Sequence, residues 1–92
     1  MIQGFKCAET EALFTTGKTR RWAQVADVAM RKLTMLNAAV SLNDLKSPPG
    51  NRLEALQGNR RGQHSIRING QWRICFIWTA EGPANVEIVD YH

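Results

Sequence analysis

Between Thr19 and Val40 the apolar residues Trp22, Val25, Ala26, Ala29, Leu33, Leu36 and Val40 recur mainly at spacings of three and four. That period lines one face of an α-helix, so the pattern predicts a long amphipathic helix over Thr19–Val40. Upstream, Glu9 to Phe14 reads as a short helix, and Gly17 supplies its stop. Met1 to Phe5 alternates Ile2 and Gly4 with Gln3 and Phe5, a weak strand signal. Ser41 to Gly50 holds Asn43, Asp44, Ser47 and Pro48-Pro49-Gly50, none of which continues a helix, and is expected to be a turn-rich crossover. Arg52 to Gly58 sets Leu53, Ala55 and Leu56 among polar residues, an extended or single-turn segment pinned by its leucines.

The period changes to two in the last third. Ser65–Ile68 and Gln71–Trp78 predict two strands about Asn69-Gly70, a hairpin signal because both residues tolerate positive φ. A two-residue loop would mix apolar and charged side chains on both faces. Sliding the pairing by one residue gathers Ile66, Ile68, Trp72, Ile74 and Phe76 on one face and sets Arg67 beside Arg73 on the other, and burial of one face selects this register. Like charges so placed repel unless an anion lies between them, which points to a phosphate site. Val86, Ile88 and Val89 form a last strand after a Glu81-Gly82-Pro83 turn and lead into Asp90-Tyr91-His92. The expected architecture is α+β: one domain over residues 1–92, with an N-terminal strand and two helices packed on an antiparallel β-meander whose other face is free to bind.

Charge gives that face a partner. Twelve Lys and Arg against eight Asp and Glu leave a formal charge of +4, and the pI is near 9.6. Every basic residue after Lys46 is an arginine (Arg52, Arg60, Arg61, Arg67, Arg73), the side chain whose planar fork matches phosphate. The balance favours a nucleic acid, although each arginine alone is equally consistent with a solvated surface. Cys7 and Cys75 are too few for a disulfide scaffold and match no zinc spacing. No metal or other cofactor is therefore expected. No apolar run is long enough to span a membrane, and a cytoplasmic protein is expected.

RNA is cut without a metal if a base takes the 2′-OH proton, an acid protonates the leaving 5′-oxygen, and cations stabilise the phosphate between them. The candidates for acid and base are Glu54, His64, Asp90, His92 and, less readily, Tyr91. Asp90 and the chain carboxylate favour the protonated form of His92, which makes it an acid or a proton shuttle, against the alternative of a frayed terminus. Tyr91 either stacks on a base or caps the core. Glu54 serves as a base only if the loop carrying it folds over the arginine face. Arg52, Arg60, Arg61 and Arg67, with His64, are the candidate RNA contacts.

The run Asn51-Arg52-Leu53 with Leu56, Gly58 and Arg60, then Gly62, Ser65-Ile66, Trp72-Arg73-Ile74 with Phe76, and the terminal Asp90-Tyr91-His92 resembles the HigB toxins of the RelE/ParE superfamily. The likeness extends over nearly the whole chain. It implies a RelE-like fold and the toxin half of a type II toxin-antitoxin pair. It further implies an endoribonuclease that cuts messenger RNA on the ribosome, neutralised by a helix-turn-helix (HigA-like) antitoxin through which alone operator DNA is bound. Arg73, Asp90, Tyr91 and His92 fall on positions that matter in the family. Glu54 stands where some members have histidine and Gln57 where they have lysine, so roles at these two positions do not carry over unchanged. A gyrase poison of the ParE kind and a non-catalytic nucleic-acid-binding module are the competing readings.

Overall fold

Ala29, Leu33 and Leu36 are completely buried, so the apolar stripe read from the sequence is the face that meets the sheet. A computed structural model describes residues 1–90. Helix α1 spans Ala8–Thr16 and helix α2 spans Ala26–Ala38. Four strands follow: β1 (Glu54–Ala55), β2 (His64–Arg67), β3 (Trp72–Thr79) and β4 (Gly82–Asp90), forming one antiparallel sheet in the order β1-β2-β3-β4. The helices pack on one face of this sheet, giving the expected α+β architecture. Leu13, Trp22, Leu45, Ile66, Ile74, Phe76, Val86 and Ile88 share the core with the stripe of α2.

The ends of α2 differ from expectation. The Thr19 hydroxyl accepts the Trp22 N–H at 3.2 Å and Ala23–Val25 forms a 3-10 turn, so the α-helix proper starts at Ala26. A hydroxyl that offers the backbone a local partner competes with helix in this way. At the other end Asp44 accepts the N–H groups of Val40 and Ser41 at 3.0 and 3.2 Å. This capping box starts the next 3-10 turn, Leu42–Lys46, and draws the chain out of the helix. Val40 is consequently 89% exposed and Ala39 is buried in its place. The same two N–H groups hold the Asp44 carboxyl below the usual carboxylate range.

The start of the chain does not form a full strand. It lies along β4 through a parallel bridge of Phe5 with Val86, with Gln3 N–H donating to Pro83 O at 2.7 Å and Lys6 N–H to Val86 O at 3.0 Å. β4 begins at Gly82, earlier than Val86. At φ 134° and hard against the Met1 carbonyl, Gly82 has no room for a Cβ. The β2–β3 pairing is the shifted register, with Arg67 opposite Arg73 and Ile66 opposite Ile74. Its turn is not made by positive φ, which neither Asn69 nor Gly70 adopts. Instead the Asn69 side-chain oxygen accepts the N–H groups of Gln71 and Trp72, both at 2.8 Å, and this local bond sets a three-residue loop.

The crossover is locked by Asn51. Its carboxamide is completely buried, donates to the carbonyls of Leu45 (3.1 Å) and Ser47 (3.3 Å), and accepts from the ammonium of Lys32. Burial holds the Lys32 ammonium below its ordinary pKa. Replacing Asn51 with leucine removes all of these partners at once and leaves the buried Leu45 carbonyl and the Lys32 ammonium without this partner, a loss of about 2–3 kcal/mol. Urea unfolding is expected to show a lowered midpoint with an unchanged slope. A midpoint equal to that of the unsubstituted protein would show that the loop is held by other means.

Candidate functional site

Alternation along β2 and β3 turns Ser65, Arg67, Arg73 and Cys75 away from the helices. This face is not open as expected. Ser65 and Cys75 are completely buried and Arg73 is only 6% exposed, because residues 52–61 fold back over them. The Arg73 Nε donates to the Ser65 hydroxyl at 2.7 Å, and its Nη2 donates to the Arg52 carbonyl at 2.6 Å and more weakly to the Ser65 carbonyl at 3.4 Å. Arg67 reaches toward the hairpin tip, its Nη2 lying 3.8 Å from the place a Cβ on Gly70 would take. The like charges opposed in the register are thus relieved by protein acceptors on one side and by divergence of the side chains, and no bridging anion is required of the pair. The opposed charges therefore do not by themselves call for a phosphate between them.

Glu54 meets the condition set for it. β1 pairs with β2 and places Glu54 opposite Ser65, on the face that carries Arg73, with its side chain exposed. Arg52 and Arg61 are exposed as expected, and Arg52 holds a left-handed backbone (φ 45°) that aims its carbonyl at Arg73. Arg60, expected to contact RNA backbone, is held by hydrogen bonds to Gln63 Oε1 at 3.1 Å and to Glu87 at 3.2 Å. His64 lies elsewhere. It shares a face with Phe76 on the helix side, the rings stack at 6.3 Å, and its Nδ1 is buried with no partner, which separates it from the arginines. Asp90 pairs with Trp72, one position beyond the Val89–Arg73 pair, and so lies on the opposite face at the end of the sheet. There it is exposed and accepts from Gln71 Nε2 at 3.2 Å. Tyr91 and His92 lie outside the described residues.

Two participants went unnoticed in the sequence. Glu87 sits opposite Cys75 and is paired with Arg60 and with Lys6 (3.5 Å), and Ser65 receives the Arg73 guanidinium. A lone acid among Val86, Ile88 and Val89 was the available signal for Glu87, whereas Ser65 entered only as part of the family pattern, with nothing to mark it as the partner of Arg73. Glu54, Arg60, Arg73 and Glu87 all act electrostatically on Cys75, which places two cations and two carboxylates around one point of the sheet. Burial is the dominant influence and pushes the Cys75 thiol above its ordinary pKa, so it stays protonated. Among the described residues no group of three or more His, Cys, Asp or Glu is placed to hold a metal ion, and no helix is long and apolar enough to cross a membrane.

Two helices packed on one face of a four-stranded antiparallel sheet are consistent with a RelE-like fold. Residues 3–92 match the family of RelE-like toxins of the type II toxin-antitoxin system HigB, and the chain belongs to that family. It is 39% identical over 94 aligned positions to Toxin HigB-1 of Vibrio cholerae serotype O1, an alignment covering all of this chain and 98% of that protein. A second relative, an uncharacterised protein of Haemophilus influenzae, is 45% identical over 49 positions, covering 53% of this chain and 48% of its own. Membership of a type II toxin family implies an antitoxin as partner.

The raised Cys75 pKa and the cover above it yield a chemical test. A thiol reagent at mildly alkaline pH is expected to modify half-buried Cys7 and to leave Cys75 untouched until denaturant is added. Equal rates for both cysteines in the folded protein would mean that segment 52–61 opens freely.

Proposed function

We propose that this toxin is an endoribonuclease that cuts messenger RNA held on the ribosome, with chemistry carried by its own side chains. The observation that carries the reading is the placement of Glu54 and Arg73 on one face, either side of Ser65. A carboxylate facing solvent next to a guanidinium whose position is already fixed is a base beside a preorganised cation. Glu54 takes the 2′-OH proton, and Arg73 stabilises the charge that builds on the phosphate. Because its hydrogen bonds to Ser65 and Arg52 are made in advance, the cation needs little reorganisation as the charge develops.

The leaving 5′-oxygen needs an acid, and His92, with Tyr91 against the base, is the candidate supplied by family resemblance. Asp90, just before them at the sheet end, acts as a positioning residue for that pair. Arg52 and Arg61, exposed on the covering segment, contact RNA backbone, and Arg67 does so at the hairpin tip. A small domain with one shallow site does not by itself align a flexible message for in-line attack, and the ribosome supplies that alignment. The antitoxin is of the helix-turn-helix, HigA-like kind, and operator DNA is reached only through the toxin-antitoxin complex.

Mapping new 5′ ends on a message in programmed ribosomes and on the same RNA alone tests the reading. Cleavage is expected only with ribosomes, and equal cutting of both samples would refute the ribosome requirement. Glu54→Gln and His92→Ala are each expected to slow single-turnover cleavage about 10²- to 10⁴-fold with ribosome binding retained. Arg61→Ala should instead weaken binding and reduce its salt dependence. Full cleavage by Glu54→Gln would remove this residue from the reaction.

A further inference from the structure

Glu54, Ser65, Cys75 and Glu87 pair in turn across β1, β2, β3 and β4, so they form one row on the face turned away from the helices. Three strand spacings, about 14 Å, separate the two acidic residues at its ends. Glu87 is therefore too far from Glu54 to share a proton with it, and any influence it has on the proposed base passes through what it holds. Two cations from two irregular segments converge on its carboxylate. Arg60 comes from the covering segment at 3.2 Å, and Lys6 from the N-terminal segment at 3.5 Å.

The covering segment needs such a tie. It carries two residues of strand, Glu54–Ala55, and one 3-10 turn, Gly58–Arg60, whose backbone bonds are local. Its near end is held by the Arg52 carbonyl on Arg73 and its middle by the buried Leu56 side chain. At the far end the Arg60 side chain reaches to Glu87 on β4, with Gln63 Oε1 as its second acceptor. The Glu87 side chain is 15% exposed and that of Arg60 35%, so solvent screens this pair less than the open Arg21–Glu9 pair at 48% and 58%. Glu54, Ala55, Leu56, Gln57 and Arg60 line a cavity of about 420 Å³. All five belong to this segment, so the cavity and the Glu54 carboxylate move wherever the segment moves.

We propose that Glu87 is a positioning residue for cleavage: it holds Arg60, and through Arg60 the segment 52–61, so that Glu54 keeps its place beside Arg73. The proposal rests on the RNA-cutting reading. A purely electrostatic role for Glu87 predicts the opposite sign, because a carboxylate near bound RNA repels phosphate and its removal strengthens binding. A role in global stability predicts that activity is lost only as the fold is lost. Positioning predicts slower cutting by a folded protein that still binds.

The test uses the full-length protein with Glu87→Gln, which keeps the size of the side chain and removes its charge, with Arg60→Gln, and with both changes together. Single-turnover cleavage on saturating programmed ribosomes is expected to fall about 10- to 100-fold in each single variant, the effect of a small misplacement of a reacting group. Ribosome binding is expected to be kept in Glu87→Gln. The double variant should fall no further than the slower single one, since both changes remove the same link. Cys75, buried under the segment, is expected to react with a thiol reagent without denaturant in either variant, while the urea midpoint stays close to that of the unsubstituted protein. Full-rate cleavage by Glu87→Gln, additive losses in the double variant, or a Cys75 that stays protected would each overturn the proposal. So would a urea midpoint lowered far enough for unfolding to account for the lost activity. If the unsubstituted protein cuts no RNA on the ribosome, the cleavage reading falls, and the Cys75 rates alone then decide whether Glu87 holds the segment.

Discussion

A guanidinium at the centre of a β-sheet keeps its charge at every accessible pH and must therefore find acceptors that do not come from water. Arg73 finds them in two parts of the chain, the Ser65 hydroxyl on the neighbouring strand and the Arg52 carbonyl in the covering loop. The second acceptor exists only because Arg52 adopts a left-handed backbone directly after Asn51. Asn51 in turn is tied to Leu45, Ser47 and Lys32, so the loop, the crossover and α2 all bear on where one cation sits. Removing any one of these supports leaves a buried polar group without its partner, which costs more than the net worth of the bond.

This dependence changes the character of the sheet face. An open basic surface would bind phosphate by charge alone and be strongly screened by salt. Here the covering segment buries Cys75 and Ser65, pairs Arg60 with Glu87, and leaves Glu54 exposed beside the fixed cation. Charges held in place and partly desolvated act more strongly on a bound phosphate than the same charges on mobile side chains. The cleavage proposed above draws on this fixed arrangement.

Periodicity carried most of the architecture. The stripe of α2, the stop at Gly17 and the β2–β3 register could be read because burial of one face permits a single phase of the pattern. The errors fell where a short polar side chain competed for backbone groups. Thr19 delays α2, Asp44 with Ser41 ends it and exposes Val40, and Asn69 replaces a positive-φ turn with a side-chain bond. Each is a local hydrogen bond of modest strength, too small to alter hydropathy and large enough to move a boundary by several residues.

The sequence by itself determined the α+β class, the supply of arginines, the candidate status of Glu54 and the likeness to a toxin family, because each depends on residue type, spacing or order along the chain. Only the tertiary structure decided which of those residues meet. It brought Glu54 to the Arg73 face through the two-residue strand β1, turned His64 to the helix side, committed Arg60 to Glu87, and supplied Ser65 and Glu87 as partners. The reason is that these pairings span 8 to 27 residues and depend on the path of an irregular segment. Such a path is set by packing and by the need to satisfy buried polar groups, neither of which leaves a periodic trace in the chain.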